Sequence, residues 1–128
     1  MARILVVDDE GDVLKLIQMR LEHEGHKVLG FSSPQKALEL VLTGDIPDLV
    51  VLDVAMPEIS GLEVLRTLRL GFGQKLLPAI FLSALVTPQD IEAGRALGAV
   101  YLTKPFVASA LLRAIDRGLK EAADPGRR

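Results

Sequence analysis

The chain has 128 residues, the usual size of a single domain, and it is too short for a second hydrophobic core. Hydrophobic residues make up 49% and charged residues 25%, which provides for a packed interior and excludes a disordered chain. A formal net charge of −2 excludes recruitment of nucleic acid by overall charge, and the absence of cysteine excludes disulfides and thiolate metal sites. The opening apolar run is short and ends in acidic residues, unlike a signal peptide, so we expect a cytoplasmic protein that binds neither nucleic acid nor membrane.

Strand-length apolar runs alternate with segments of helical period, which predicts βαβ units and a doubly wound parallel sheet with helices on both faces. The first helix ends near Gly25. The second begins at Ser33, a helix cap that is followed by Pro34 at the first helical position, and it ends at Gly44. The third apolar run is continuous, as in a central strand that is covered on both faces. The first three strands are predicted at about residues 3–7, 27–31 and 49–53.

The second half of the chain continues this alternation. A third helix is predicted near residues 62–70. The segment Thr87-Pro88-Gln89-Asp90 supplies the cap, the first-turn proline and the acidic third residue that begin a fourth helix. In that helix, Ile91 and Leu97 are expected to face inward. The fourth and fifth strands are predicted at about residues 79–83 and 100–103.

The C-terminal end differs from the rest of the chain. The last helix is predicted to end near Ala122, and the residues after it are polar and rich in helix breakers. We therefore expect one domain over residues 1–122, and a polar tail or the start of a linker over residues 123–128.

Polar residues follow four of the five predicted strands. Asp8 and Asp9 close the first strand, Asp53 closes the third, Ser83 closes the fourth, and Lys104 follows the fifth. Ligands of an open parallel sheet bind outside the carboxyl ends of its strands, so these side chains are expected to meet. A single Asp or Ser at a strand end is more often a turn former or a helix cap. The conjunction of five such residues favours a functional site.

The carboxylates of Asp8, Asp9 and Asp53 are expected to converge and to repel one another. A hard divalent cation with oxygen ligands relieves that repulsion. Mg²⁺ fits best, with Mn²⁺ as its substitute, because Mg²⁺ binds through one or two carboxylates together with a phosphate. An ionised aspartate can then attack phosphorus as a nucleophile. The Lys104 ammonium and the Ser83 hydroxyl are placed to hold oxygens of the transferred phosphoryl group.

Together these residues resemble the receiver domain of two-component response regulators over about residues 3–120. The resemblance implies a flavodoxin-like sheet of strand order 2-1-3-4-5 and a switch that is phosphorylated by a sensor histidine kinase or a phosphotransfer protein. It implies a downstream protein partner or an attached output domain, and a phosphoacceptor rather than a turnover enzyme. The motifs that carry it are Asp8-Asp9, Leu52-Asp53-Val54-Ala55-Met56-Pro57 with Gly61, Ser83-Ala84 and Lys104-Pro105-Phe106.

The resemblance also implies a role for each site residue. Asp53 is the phosphoacceptor and a metal ligand. Asp9 is a direct Mg²⁺ ligand, Asp8 contacts the metal largely through water, and the backbone carbonyl of Ala55 completes the protein ligands. Lys104 contacts the phosphoryl group.

The resemblance further implies a switch and a special peptide bond. Ser83 moves to meet the phosphoryl oxygen, and Tyr101 turns into the space that is vacated, which changes the face of helix 4, strand 5 and helix 5. The bond between Lys104 and Pro105 is expected to be cis.

Two apolar residues occupy positions at which the side chain varies among receiver domains. Ala55 lies two positions after the acceptor, and Leu85 lies two positions after the switch serine. The resemblance implies that these side chains control the access of water to the acyl phosphate. Neither can orient a hydrolytic water, so we expect a phosphorylated lifetime that is not especially short.

Three other functions compete with a receiver switch. A small phosphatase with an aspartyl-phosphate intermediate requires an acid two residues after the nucleophile, where Ala55 stands. A dinucleotide-binding enzyme requires a glycine-rich turn after the first strand, and Val7-Asp8-Asp9-Glu10-Gly11 offers none. A receiver-like scaffold that works without phosphorylation predicts loss of the acceptor or the lysine, and both are present.

Overall fold

Strands and helices alternate along residues 2–71, 77–84 and 87–123, the residues that this computed structural model describes. The five strand ranges predicted from the sequence are confirmed. The third helix continues beyond Arg66 as a π-helical turn, Thr67–Gly71. In chain order the elements are β1 Arg3–Val7, α1 Gly11–His23, β2 Lys27–Phe31, α2 Pro34–Leu42, β3 Leu49–Asp53, α3 Gly61–Arg66, β4 Ala79–Ser83, α4 Pro88–Ala96, β5 Val100–Thr103 and α5 Ala108–Ala123.

The five strands form one parallel sheet in the order β2-β1-β3-β4-β5, as predicted. Successive side chains of a strand point to opposite faces of the sheet. Leu5 and Val7 of β1 accordingly belong to the apolar cluster that contains residues of α2 and α3. Ile4 and Val6 belong to the second cluster, which contains residues of α1 and α5. The sheet therefore has a hydrophobic layer on each face, and its central strands are buried on both sides.

The helix starts follow the capping signals in the sequence. The Ser33 hydroxyl accepts a hydrogen bond from the Lys36 amide at 3.4 Å, and Pro34 begins α2. At α4, the Thr87 hydroxyl accepts from the Asp90 amide and the Asp90 carboxylate accepts from the Thr87 amide, each at 3.1 Å. This reciprocal pair is a complete capping box.

One inward-facing residue was predicted wrongly. Ile91 is 40% exposed, whereas Leu97 is half-buried and packs against the core. The reason is the position of α4, which packs on β5, the strand at the edge of the sheet. Gly94 is the buried residue of this helix.

Two predictions fall wholly or partly outside the described residues. Leu85 is not described, and of the polar tail only Ala123 is described, as the last residue of α5. Within the described ranges, no helix is both long enough and apolar enough to cross a bilayer.

Candidate functional site

The carboxyl edge of the sheet brings together polar residues from four strands. Asp8 follows β1, and Asp53 ends β3, where it pairs with Leu82 in the parallel register. Ser83 is the next residue of β4, and its carbonyl accepts a hydrogen bond from the Lys104 amide at 2.9 Å. Asp8, Asp53 and Ser83 are all buried, with 0%, 4% and 2% of their surface exposed. Buried polar side chains at one edge of an otherwise apolar sheet mark the functional site.

Lys104 is the centre of this site. Its Nζ lies 2.9 Å from Asp8 Oδ2, 2.7 Å from Glu10 Oε1 and 3.4 Å from Asp53 Oδ2. The three carboxylates come from two segments that are separated by more than forty positions, and one ammonium contacts all of them. The peptide bond that follows, between Lys104 and Pro105, is cis.

Main-chain amides orient the two buried aspartates. Asp8 Oδ1 accepts from the Glu10 amide at 2.9 Å, and Asp53 Oδ1 accepts from the Ala55 amide at 3.2 Å. In both cases the second carboxylate oxygen faces Lys104. Asp8 Oδ2 is buried and has no other hydrogen bond among the described residues. Its ion pair with Lys104 therefore offsets the cost of burying its charge.

The environment of Asp53 favours its protonated form in the absence of metal. Burial raises the pKa of this carboxyl to about 7, and a hydrogen bond with Asp9 and the charge of Asp8 add to the effect. The Lys104 charge and the Ala55 amide lower the pKa but do not outweigh these causes. A carboxylate in this position needs additional positive charge to be fully ionised at neutral pH.

The environment of Lys104 has the opposite effect on its charge. Burial lowers the pKa of the ammonium, but the contacts with Glu10, Asp8 and Asp53 outweigh burial and raise the pKa above its ordinary value. Lys104 therefore remains protonated at every physiological pH.

The three carboxylates could together bind a hard divalent cation. Ligand oxygens from Asp8, Glu10 and Asp53 all lie within 4.8 Å of one another. Ligand sets made only of oxygen atoms suit Mg²⁺, and Asp8 Oδ2, buried and held by the ion pair with Lys104, is one of these oxygens. Sequence reasoning missed Glu10, which was read only as part of the acidic end of the first apolar run. Asp9, predicted as a direct ligand, is exposed and lies outside this group of three, and its role stays a prediction.

The loop after β3 is shaped by a close backbone approach. A Cβ atom at Gly61 would lie 2.4 Å from the Asp53 carbonyl oxygen, so only glycine fits there without displacing the acceptor segment. The Gly61 amide donates to the Val54 carbonyl at 3.1 Å, which closes the loop. In the same loop Glu58 has a φ of 75°, a left-handed conformation that favours glycine.

Tyr101, the predicted partner of Ser83, is half-buried. Its ring packs against Phe81, with ring centroids 5.2 Å apart, and it belongs to the edge of the core. The hydroxyl is buried and has no hydrogen-bond partner among the described residues. Burial, followed by the charge of Asp90, raises the pKa of this phenol. Leu85, the second predicted determinant of water access, lies outside the described residues, whereas Ala55 is exposed.

Comparison with known proteins identifies the family. Residues 4–116 match the model of the response regulator receiver domain. The chain is 43% identical over 106 residues to the alkaline phosphatase synthesis transcriptional regulatory protein PhoP of Bacillus subtilis, which covers 81% of this chain and 42% of that protein. It is 39% identical over 108 residues to the response regulator SaeR of Staphylococcus aureus, covering 83% of this chain and 45% of SaeR. The chain thus spans less than half the length of these two relatives.

Solved structures show the same fold. The chemotaxis protein CheY4 of Vibrio cholerae superimposes with a TM-score of 0.84 at 29% identity, covering 93% of this chain and 99% of CheY4. A response regulator receiver domain protein from Clostridium thermocellum gives a TM-score of 0.84 at 31% identity, covering 94% and 95% of the two chains. The family match spans residues 4–116, which reach from β1 into α5. The chain therefore belongs to the receiver domain family of two-component response regulators.

Proposed function

We propose that this chain is a phosphorylation-activated switch in which Asp53 accepts the phosphoryl group. The observation that carries the proposal is the contact of one ammonium, Lys104, with two buried aspartates, Asp8 and Asp53, from different strands. Burying several charges so close together costs folding free energy, and such clusters are typical of functional sites. Receiver domains of response regulators are phosphorylated by sensor histidine kinases, and such a kinase or a phosphotransfer protein is the proposed donor.

In the proposed reaction an oxygen of the ionised Asp53 carboxylate forms a bond to phosphorus. The bond between phosphorus and the donor's leaving group breaks, and the leaving group keeps the electron pair. Lys104 favours ionisation of Asp53 and compensates charge on the phosphoryl oxygens, since its Nζ already lies 3.4 Å from Asp53 Oδ2. Ser83, at the end of the neighbouring strand, is the proposed partner of another phosphoryl oxygen.

We propose Mg²⁺ as the cofactor. Asp9, Asp53 and the carbonyl of Ala55 would hold it, and Asp8 would act largely through water. Glu10 lies in the same group of oxygens as Asp8 and Asp53. When bound, the cation neutralises negative charge on the carboxylates and on the incoming phosphoryl group.

A groove beside the site suits a protein donor. It has a volume of about 400 Å³ and opens between the start of α1 and the segment after β5. Its walls are mainly apolar, and the polar residues Glu10 and Lys104 connect it to the acceptor. The apolar residues that line it are Val13, Leu16, Ala84, Pro105 and Phe106.

The proposed output is a change in the face made by α4, β5 and α5, transmitted by Ser83 and Tyr101. The receiver comprises residues 1–122, and residues 123–128 are a tail or the start of a linker. The downstream target is either a separate protein or an output domain that follows this chain. Autodephosphorylation is assisted by the same residues, and the chain is not a turnover enzyme.

Incubation with Mg²⁺ and acetyl phosphate, followed by intact-mass measurement, tests the proposal. We expect an adduct of one phosphoryl group that is absent in Asp53→Asn and when EDTA replaces Mg²⁺. Asp116→Asn, an exposed aspartate on α5, is the matched control and should form the adduct normally. A wild-type protein that forms no adduct would instead support a scaffold that works without phosphorylation.

A further inference from the structure

One charged side chain joins three elements at the amino edge of the sheet. Arg69 lies in the π-helical turn that follows α3. Its Nε and Nη2 donate hydrogen bonds to the Leu77 carbonyl, at 3.1 and 2.7 Å, and its Nη1 donates to the Leu97 carbonyl. Leu77 lies just before β4, and Leu97 is the C-cap residue of α4. The Arg69 guanidinium therefore connects the end of the third helix, the entry to β4 and the end of α4.

Both acceptors suit a guanidinium. The last carbonyls of a helix lack partners within the helix and form the negative end of its dipole, so a cation beside Leu97 is favourable. The planar guanidinium can donate to two acceptors in fixed directions, which a lysine ammonium cannot do. Leu77 is only 4% exposed and belongs to the hydrophobic core, so core packing fixes its main chain. Arg69 thus ties a helix end to a fixed part of the sheet.

Apolar packing contributes little to the attachment of α4. Six of its nine residues are exposed, and its buried residue, Gly94, has no side chain. The helix packs on β5, the edge strand, whose own residues are exposed or half-buried. Because little apolar area is buried, hydrogen bonds to the rest of the protein account for a larger share of the attachment than in a core helix.

The two ends of α4 lie at opposite edges of the sheet and are held differently. The C-terminal end lies at the amino edge, where Leu97 packs against the core and accepts from Arg69. The N-terminal end follows β4 at the carboxyl edge, where Ser83 lies. The capping box at this end joins Thr87 to Asp90, so its hydrogen bonds lie within the first turn and do not attach the helix to the sheet.

We propose that Arg69 fixes the C-terminal end of α4 on the sheet, so that the helix pivots about this end. A rearrangement at Ser83 then displaces the first turn of α4 and leaves the last turn in place. The regulatory meaning of the pivot rests on the proposed function, whereas the fixed end of α4 does not.

Amide hydrogen exchange followed by NMR measures the opening of each end separately. The Gly98 and Ala99 amides donate to carbonyls of the last turn of α4, each at 2.9 Å, and the Ile91 amide donates to Thr87 in the first turn. In wild type without a phosphodonor, we expect Ala99 to exchange roughly fivefold more slowly than Ile91 after correction for intrinsic rates.

Arg69→Met removes the three hydrogen bonds and keeps an unbranched side chain in the same place. It should speed exchange at Gly98 and Ala99 by about tenfold and change exchange at Ile91 by less than about twofold. Equal exchange of Gly98 and Ala99 in a folded Arg69→Met variant and in wild type would overturn the inference.

Arg66→Met is the matched control. Arg66 is an exposed residue in the last turn of α3, so this variant removes the same charge and should leave exchange at Gly98 and Ala99 unchanged. Circular dichroism of each variant checks that the protein has folded. One further result needs no variant, because the Arg69 Nε–H of wild type should exchange with water roughly tenfold more slowly than that of Arg66. Equal rates for the two groups would overturn the inference.

A phosphorylation experiment separates this inference from the proposed function. With Mg²⁺ and acetyl phosphate, exchange at Ile91 should change severalfold and exchange at Ala99 by less than about twofold. Changes of similar size at both ends would overturn the pivot while supporting phosphorylation. A wild-type protein that forms no adduct, but whose Ala99 amide is protected and loses protection in Arg69→Met, would overturn the proposed function and support the fixed end of α4.

Discussion

Two parallel strands of the same sheet, β3 and β5, differ in almost every respect that bears on function. All five residues of β3 are buried, and the strand pairs with a neighbour on each side. β5 is an edge strand whose first and last residues are exposed and whose central residues are half-buried. Asp53 ends the first strand, and Tyr101 lies in the second. Of these two strands, the proposed chemistry thus lies on the more constrained one and the proposed movement on the less constrained one.

A pair of leucine truncations should show the largest effect and test this contrast. Leu52 of β3 is fully buried, whereas Leu102 of β5 is half-buried. We expect Leu52→Ala to lower the free energy of unfolding by about 3 kcal/mol. Leu102→Ala should lower it by about 1 kcal/mol, because less apolar area is lost. Urea unfolding at one pH measures both, and equal losses would show that the two strands are equally constrained.

The raised pKa of Asp53 predicts an unusual pH dependence of stability at the end of β3. The folded state binds this proton more tightly than the unfolded state, whose carboxyl titrates near the ordinary value of 3.8. The stabilisation is therefore complete at acid pH and is lost as the pH rises toward about 7. At pH 8 without metal, Asp53→Asn should be more stable than wild type by on the order of 2 kcal/mol.

The difference in unfolding free energy between wild type and Asp53→Asn separates the titration of Asp53 from that of other groups. It should shrink toward zero near pH 4, and at pH 8 it should shrink on addition of Mg²⁺, which Asp53→Asn binds less well. Urea unfolding in EDTA and in Mg²⁺ at several pH values provides the comparison. A difference that is independent of pH would contradict the raised pKa.

Loss of the α4 cap should destabilise α4, which packs on β5, and leave β3 unaffected. Thr87→Ala removes a hydroxyl that accepts from the Asp90 amide at 3.1 Å, and it should cost about 1 kcal/mol. Hydrogen exchange should rise in α4 and leave β3 unchanged. Ser33→Ala, which removes the equivalent cap of α2, is the control that should not affect α4. Faster exchange in β3 of the Thr87→Ala variant would show that the two sides are coupled.

The smallest effect is expected in the loop between β3 and α3. Glu58 has a positive φ, and Glu58→Gly should raise the free energy of unfolding by about 0.5 kcal/mol because glycine adopts this conformation without strain. Glu63→Gly, in the first turn of α3, should instead lower it by about 1 kcal/mol. Thermal unfolding followed by circular dichroism distinguishes the two signs, and a destabilised Glu58→Gly variant would contradict strain at this position.

The fold was predictable because its signals are local. Continuous apolar runs defined the strands, and the Ser33-Pro34 and Thr87-Pro88 pairs defined two helix starts that the structure confirms. The order of the strands came from the family resemblance rather than from these signals.

The parts that could not be predicted depend on contacts between distant segments. The contact of Glu10 with Lys104 joins residues 94 positions apart and requires both side-chain conformations to be known. The exposure of Ile91 depends on where α4 lies over the edge strand. The close approach of the Tyr101 ring to α4 depends on the missing side chain of Gly94, which a sequence pattern reads only as a weak helix former.

The two main-chain hydrogen bonds to Asp8 and Asp53 have a consequence for how this site can vary. The donors are the amides of Glu10 and Ala55, and every amino acid except proline supplies the same N–H group at those positions. These two hydrogen bonds are therefore independent of the side chains at positions 10 and 55. Those two side chains can therefore change in size and charge without removing the main-chain hydrogen bonds to the two buried aspartates.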